Sequence, residues 1–161
     1  MSSTTQTEQL AAQFENLNAE VIAVVTECSD EQWQTTTESE GWSVAVVAHH
    51  IGVVHADFIP LVRRLASGAT FSPSASMDDV DRSNVQHALD FANVGKQEAL
   101  DVLQANGAEL AEVLRSLEDA QLESVAGVFG GNELTVAQVM QFVVLGHPQE
   151  HLASIRATLA A

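Results

Sequence analysis

The chain has 161 residues, of which 46% are apolar, enough to form the core of a single domain. Asp and Glu together number 22 and Lys and Arg number 6, so the formal net charge is −16. A surface this acidic repels nucleic-acid phosphates and anionic membranes, and it favours neutral or cationic partners. We therefore expect no nucleic-acid partner and no membrane partner.

The remaining composition points to the cytoplasm. The single cysteine, Cys28, excludes an internal disulfide bond and fits a reducing compartment. Residues 1–9 contain neither a basic residue nor an apolar run, so we expect no signal peptide there. No run of about 18 consecutive apolar residues is present, so we expect no membrane-spanning segment.

Four long segments have the periodicity of amphipathic helices. They are residues 5–28, 43–67, 85–117 and 135–159. Gly68 is a typical residue to follow the end of the second helix. Thr135 and Gln138 have the spacing of a capping box at the start of the fourth.

The connections between these segments are polar and rich in turn-forming residues. Residues 69–76 contain Pro73 and several serines, and residues 124–133 contain three glycines. No segment shows the sustained alternation that predicts a strand. The sequence predicts an all-α protein in which residues 1–161 form a single four-helix-bundle domain.

Two histidines interrupt the apolar stripe of the fourth helix. The stripe reads Val136, Met140, Val143, His147, His151, Ile155, Leu159. Residues four apart lie on the same face of a helix, so we expect both imidazoles to point into the bundle. This spacing suits one metal ion, as in the helical His-x-x-x-His pairs of zinc enzymes. Core histidines that are hydrogen bonded to other side chains give the same pattern.

His50 in the second helix is a candidate for a third ligand. It lies about 10 Å from the start of its helix, whereas His151 and His147 lie about 13 and 20 Å from the end of theirs. Antiparallel packing of the two helices therefore brings the three histidines near one another. His49 lies about 100° away around the helix, so we expect at most a supporting role for it.

Three neutral imidazoles leave one position of a tetrahedral ion open, which is typical of a catalytic site. Zinc or nickel suits three nitrogen ligands, and either ion would activate water or a bound thiol. Asp57 and the polar start of the third helix, with Asn84 and His87, are candidate pocket walls. We prefer to interpret these residues as solvated surface positions, which polar residues ordinarily occupy.

The segment from His147 to His151 also matches His-x-x-Glu-His, the inverted signature of certain zinc proteases. Those enzymes take another acidic ligand from well downstream, whereas no acidic residue follows His151. We therefore interpret Glu150 as a surface charge. Pro148 cannot donate a hydrogen bond to the carbonyl group of Val144, so we expect the fourth helix to kink there.

Two stretches of the chain carry a resemblance to a known family. Residues 41–44, Gly-Trp-Ser-Val, with His50 eight positions after Trp42, resemble the start of helix two in the DinB-like superfamily. Residues 147–156 are similar to the last helix of that superfamily. The resemblance extends over nearly the whole chain and implies a four-helix bundle.

The resemblance also implies a divalent metal held by His50, His147 and His151. Relatives include S-transferases and isomerases that depend on mycothiol or bacillithiol, so such a thiol is a candidate cosubstrate. The first hypothesis is therefore a metal-dependent enzyme, a thiol S-transferase or a hydrolase, that acts on a small molecule.

Two other hypotheses remain open on the sequence. The second hypothesis is a non-catalytic helical module that binds a metal or small ligand. The third is a structural homodimer whose histidines are hydrogen bonded within the core. A homodimer is a general expectation for soluble proteins and is common in the superfamily that the chain resembles.

Overall fold

The computed structural model describes residues 4–71 and 76–161, and over these ranges the chain forms a helical bundle with a small hairpin. The helices are α1 (Gln6–Glu27), α2 (Asp30–Trp33), α3 (Val44–Ala66), α4 (Met77–Asp90), α5 (Lys96–Arg115), α6 (Asp119–Leu122), α7 (Val136–Val139), a π-helix (Met140–Leu145) and α8 (Gly146–Ala160). The strands are β1 (Val125–Phe129) and β2 (Asn132–Thr135). α7, the π-helix and α8 follow one another directly and form one long final helix. The predicted helical bundle is confirmed, while half of the connection predicted around Pro73, residues 72–75, lies outside the described residues.

Polar side chains fix where the long helices begin. The side-chain oxygens of Thr5, Ser43 and Thr135 accept hydrogen bonds from amide groups in the first turns of α1, α3 and α7. The Thr135 amide also donates to the side chain of Gln138 at 2.9 Å, which completes the predicted capping box.

α3 is the central helix and packs most extensively against α5. The two helices come very close at Gly52, where a Cβ atom would be 2.8 Å from Val102 Cγ1 and 3.0 Å from the Leu103 amide nitrogen. α1 also packs against α5, and α8 contacts both α1 and α3. The largest fully buried apolar side chains are Phe14, Ile51, Leu65, Leu103, Leu110, Leu114, Leu122, Met140 and Ile155.

The third predicted helix, residues 85–117, is wrong in its extent. α4 begins earlier, at Met77, and residues 91–95 separate it from α5. This break is held by a distant residue, because the indole nitrogen of Trp33 donates to the carbonyl group of Val94 at 3.1 Å. All residues of α4 are described and none is buried, so this helix lies on the surface of the bundle.

The expectation that the chain has no strands is wrong for the hairpin. β1 and β2 pair antiparallel across Gly130 and Gly131, whose φ angles are 58° and 85°. A two-residue turn with positive φ at both positions matches the twist of the strands, and glycine adopts these angles without strain. Strands of five and four residues are too short to show a clear alternation.

Although it contains no long run of consecutive apolar residues, α3 is long and apolar enough on average to cross a membrane. Of the 18-residue stretch of α3 that is this apolar, 61% is buried inside the protein, as is also found for the core helices of soluble proteins. Its three histidines, His49, His50 and His55, are buried as well. Length and composition alone are therefore weak evidence for a membrane span.

A buried polar link joins α1, α3 and α5. Asn18 Nδ2 donates to the Leu103 carbonyl group at 3.0 Å, so Asn18 Oδ1 accepts from His55 Nε2 at 2.9 Å. Burial lowers the pKa of His55 to about 4. The His55 ring is therefore neutral at pH 7.

We expect Gly52→Ala to lower the free energy of unfolding by about 1–3 kcal/mol, because the added methyl group meets Val102 and the backbone of α5. Gly146→Ala is the matched control, since its Cβ atom would make only an ordinary contact, 3.6 Å from the nearest atom. Urea unfolding followed by circular dichroism measures both variants. Equal stabilities would contradict the close approach of α3 and α5.

The link at His55 predicts that stability falls with decreasing pH. The pKa of His55 is about 4 in the folded chain against an ordinary value of 6.5, so the unfolded chain binds more protons between these values. The free energy of unfolding therefore falls by about 3 kcal/mol for this group as the pH drops from 6.5 to 4.

His55→Gln tests this pH dependence, because the glutamine amide can donate to Asn18 but does not titrate. The stability advantage of the native protein over the variant should shrink by that amount between pH 7 and pH 4, as measured by urea titrations. A difference that stays constant with pH would show that His55 does not contribute.

Candidate metal centre

Three histidines meet between α3 and α8. His50 lies in the second turn of α3, and His147 and His151 lie in the first two turns of α8. The Nε2 atoms of His50 and His147 are 3.1 Å apart, and the three ring centroids are separated by 4.5, 5.0 and 5.2 Å. One ring nitrogen from each residue lies within 4.8 Å of the others. The structure thus brings together the three residues selected from the sequence.

The final helix changes its hydrogen-bonding pattern just before His147. Residues Met140–Leu145 form a π-helix, in which bonds reach one residue further than in an α-helix. Pro148 cannot bond to the carbonyl group of Val144, and the wider turn before it accommodates the proline. The extra residue shifts the buried face, so the predicted stripe is wrong at Val143, which is exposed while Val144 is buried.

A carboxylate that no sequence pattern indicated holds one of the rings. His151 Nδ1 lies 2.8 Å from Glu40 Oε1, and Ser154 Oγ donates to Glu40 Oε2 at 2.6 Å. Because a carboxylate oxygen can only accept, Nδ1 carries the proton and the lone pair of His151 Nε2 stays free. Carboxylate–histidine pairs of this kind orient metal ligands in many proteins.

The loop before α3 brings Glu40 to this position. Gly41 has a φ of 71°, in the left-handed region that glycine adopts without strain. The amide and hydroxyl groups of Thr37 both donate to the carbonyl group of Trp42, at 2.8 and 3.1 Å, and close the turn. Trp42 then packs edge-on against His50, with ring centroids 5.5 Å apart. In the sequence, Glu40 is marked only by its position two residues before Trp42, which is too little to predict its contact with His151.

Burial favours the neutral form of two of the three clustered rings, those of His50 and His147. It lowers the pKa of His50 to about 4 and that of His147 to about 3, and neighbouring histidines act in the same direction. Burial alone would raise the pKa of Glu40, but hydrogen bonds from Ser154 and His151 act in the opposite direction, and the pKa of Glu40 is lowered. At pH 7 the site therefore presents neutral His50 and His147 near a carboxylate, which are the protonation states that metal binding requires.

The donor set fits a divalent metal ion. For metal–nitrogen distances of about 2.0–2.1 Å, the ligand atoms of a tetrahedral site lie about 3.3 Å apart. The nitrogen atoms of His50 and His147 are already near this separation, at 3.1 Å. His147 Nδ1 is buried and has no hydrogen-bond partner among the described residues. An ion bound to Nε2 would give the His147 ring a stabilising contact that the protein does not itself provide.

His49 faces away from these three residues. Its Nδ1 atom lies 3.2 Å from Nε2 of His87 on α4, and its ring lies 4.1 Å from that of Phe91. This position agrees with the expectation that His49 has at most a supporting role. His49 instead joins α3 to α4 beside the candidate metal centre.

A cavity of about 710 Å³ opens beside the three histidines, which all line it. Its apolar walls are formed by Trp42, Val54, Phe58, Val80, Phe142 and Val143. Asp57 and Asn84 line it as well, although the sequence favoured solvated surface positions for both. Glu150, which we interpreted as a surface charge, also lies on the cavity wall but is not part of the histidine cluster.

Loss of the Glu40 carboxylate should weaken metal binding. We expect Glu40→Gln to lower the affinity for zinc by about 10–100-fold, because the carboxylate that accepts the Nδ1 proton of His151 and orients its ring is removed. Glu38→Gln is the matched control, since it removes the same charge from an exposed position in the same loop. Competition with a chromophoric chelator at pH 7 measures both affinities. Similar losses in the two variants would show that Glu40 acts only through its charge at long range.

The fold is similar to that of YfiT from Bacillus subtilis, described as a probable metal-dependent hydrolase with an unusual four-helix bundle topology. The two structures superpose with a TM-score of 0.73 at 19% sequence identity, over 98% of this chain and 88% of YfiT. Among curated proteins, no sequence matches the chain. The family model of the DinB superfamily matches residues 13–155, which include the three clustered histidines and Glu40. The chain therefore belongs to the DinB superfamily.

Proposed function

We propose that the chain is a metal-dependent hydrolase whose divalent ion, zinc or nickel, is held by His50, His147 and His151. The observation that carries this proposal is the convergence of three imidazoles at the wall of a cavity of about 710 Å³. A cavity of this size accommodates a small-molecule substrate. The shared fold with YfiT, a probable metal-dependent hydrolase, supports the same function.

The arrangement suits catalysis better than a purely structural role for the ion. Three protein ligands would leave one position of a tetrahedral ion for water or a substrate. An ion held by the three histidines would supply Lewis acidity and lower the pKa of water or of a thiol bound to it. The chain orients the ligands: Glu40 holds the Nδ1 proton of His151, and Phe58 packs edge-on against His147 at 5.7 Å.

Thiol transfer is the second candidate function. The resemblance to thiol-dependent enzymes implies mycothiol or bacillithiol as the cosubstrate, and the cavity is large enough for more than a water molecule. The open position of the ion accepts a thiolate as readily as water. We favour hydrolysis because the relative with the same fold is described as a hydrolase.

Metal content tests the ligand set. We expect about one equivalent of zinc or nickel in protein purified without a nickel column, and its loss in His50→Ala, His147→Ala and His151→Ala, because each variant leaves only two of the three nitrogen ligands. His49→Ala is the matched control, since this neighbouring histidine faces His87 and should leave the metal in place. Elemental analysis gives the content of each variant. A protein without metal whose melting temperature does not rise with added zinc or nickel would contradict the proposal.

The same protein then serves to test activity. Hydrolysis of a panel of esters and amides should disappear on chelation and return when the metal is restored. Turnover that appears only when mycothiol or bacillithiol is added would identify the second candidate instead. A metal-loaded protein without either activity would leave a metal-binding module and contradict both enzymatic functions.

A further inference from the structure

The charged groups that line the cavity, apart from its histidines, are all acidic. Asp57, Asp79 and Glu150 line it, and no lysine or arginine does among the residues that the structure describes. Residues 1–3 and 72–75, outside the described ranges, contain no basic residue either. The cavity therefore differs from a site for phosphate or carboxylate groups, which proteins bind with arginine or lysine.

Two of these carboxylates are available to a ligand. Asp79 is already bonded to Ser76 and Arg82. Asp57 and Glu150 have no ion-pair partner in the described part of the chain. Burial raises the pKa of Asp57, an unfavourable effect that a nearby cation would reduce. The net charge of −16 adds a long-range field that attracts cations and repels anions.

Apolar side chains are exposed at the cavity. Phe142 is 66% exposed, and Val80 and Val143 are 40% and 37% exposed, although all three line the cavity. Trp42 and Phe58 line it closer to the histidines that they contact. Aromatic faces attract organic cations and also contact apolar groups. A ligand with an apolar body would cover these exposed side chains.

From this combination we infer that the cavity selects amphipathic cations. Such a molecule has an apolar or aromatic body, which contacts Phe142 and Trp42, and a protonated amine or quaternary ammonium group, which pairs with Asp57 and Glu150. The same carboxylates repel anionic molecules of similar shape.

If the proposed hydrolase function holds, on which this step rests, the substrate is an ester or amide that carries a cationic group. Water adds to its acyl carbon and the acyl–oxygen or acyl–nitrogen bond breaks, which yields an acid and an alcohol or amine.

Binding of three probes of similar shape tests the selectivity. Phenethyltrimethylammonium is cationic and has no lone pair with which to ligate a metal, 2-phenylethanol is neutral, and 2-phenylethanesulfonate is anionic. We expect isothermal titration calorimetry of the purified full-length protein to show the cation binding about tenfold more tightly than the neutral probe, since each partly screened ion pair contributes up to about fivefold. The anion should bind more weakly than either.

Charge-removing variants locate the effect. Asp57→Asn and Glu150→Gln should each lower the affinity for the cation by about three- to fivefold and leave that for the neutral probe unchanged. Glu133→Gln removes the same charge from an exposed position on the hairpin and is the matched control. Phe142→Ala should weaken the cationic and neutral probes alike, because it removes apolar contact area.

Equal binding of the cation and the anion would overturn the inference, as would equal effects of the cavity variants and Glu133→Gln. The calorimetry does not depend on turnover, so its result is separate from that of the hydrolase assays. Selective cation binding by a protein that lacks metal and hydrolyses nothing would uphold the cavity's selectivity and refute the proposed function. Hydrolysis of neutral and anionic esters without a preference for cations would uphold the proposed function and refute the cavity's selectivity.

Discussion

The 3.1 Å approach of His50 and His147 joins α3 to the final helix at a level where a helical bundle ordinarily packs apolar side chains. Burial of polar rings is unfavourable unless their nitrogen atoms are hydrogen bonded or bind a metal ion. The protein provides these partners unevenly: His151 is bonded to Glu40, whereas His147 Nδ1 has none among the described residues. The cluster is therefore stable in its present form only at some cost in free energy, which a bound ion would offset.

Much of the fold and of the candidate metal centre could be predicted from local patterns. Periodicity placed His147 and His151 on one face, and the distance of His50 from the start of its helix placed it at a similar level. The remaining features depend on contacts between residues far apart in sequence. Glu40 reaches His151 across 111 positions and Trp33 bonds to Val94 across 61, so no local pattern reveals either contact. The hairpin was missed for a different reason, since its strands are too short for a clear alternation.

The acidic composition has different effects on the two parts of the site. Next to the histidine cluster, both oxygens of the Glu40 carboxylate accept hydrogen bonds, and the carboxylate orients the ring of His151. Along the cavity wall, Asp57 and Glu150 face the space that a ligand would occupy. An overall charge of −16 thus consists partly of groups with specific local partners, and its effect on recognition depends on the few carboxylates that lack them.

The π-helix has a consequence for comparing this chain with other members of its superfamily. Because its hydrogen bonds span one residue more than those of an α-helix, a relative with a regular final helix would need one residue fewer between Thr135 and His147 to aim the imidazoles in the same direction. An alignment without a gap would then match either the apolar first half of the helix or its histidine-bearing second half, but not both. The two halves must be aligned independently, and a one-residue difference in length between homologues at Met140–Leu145 would preserve the geometry of the site.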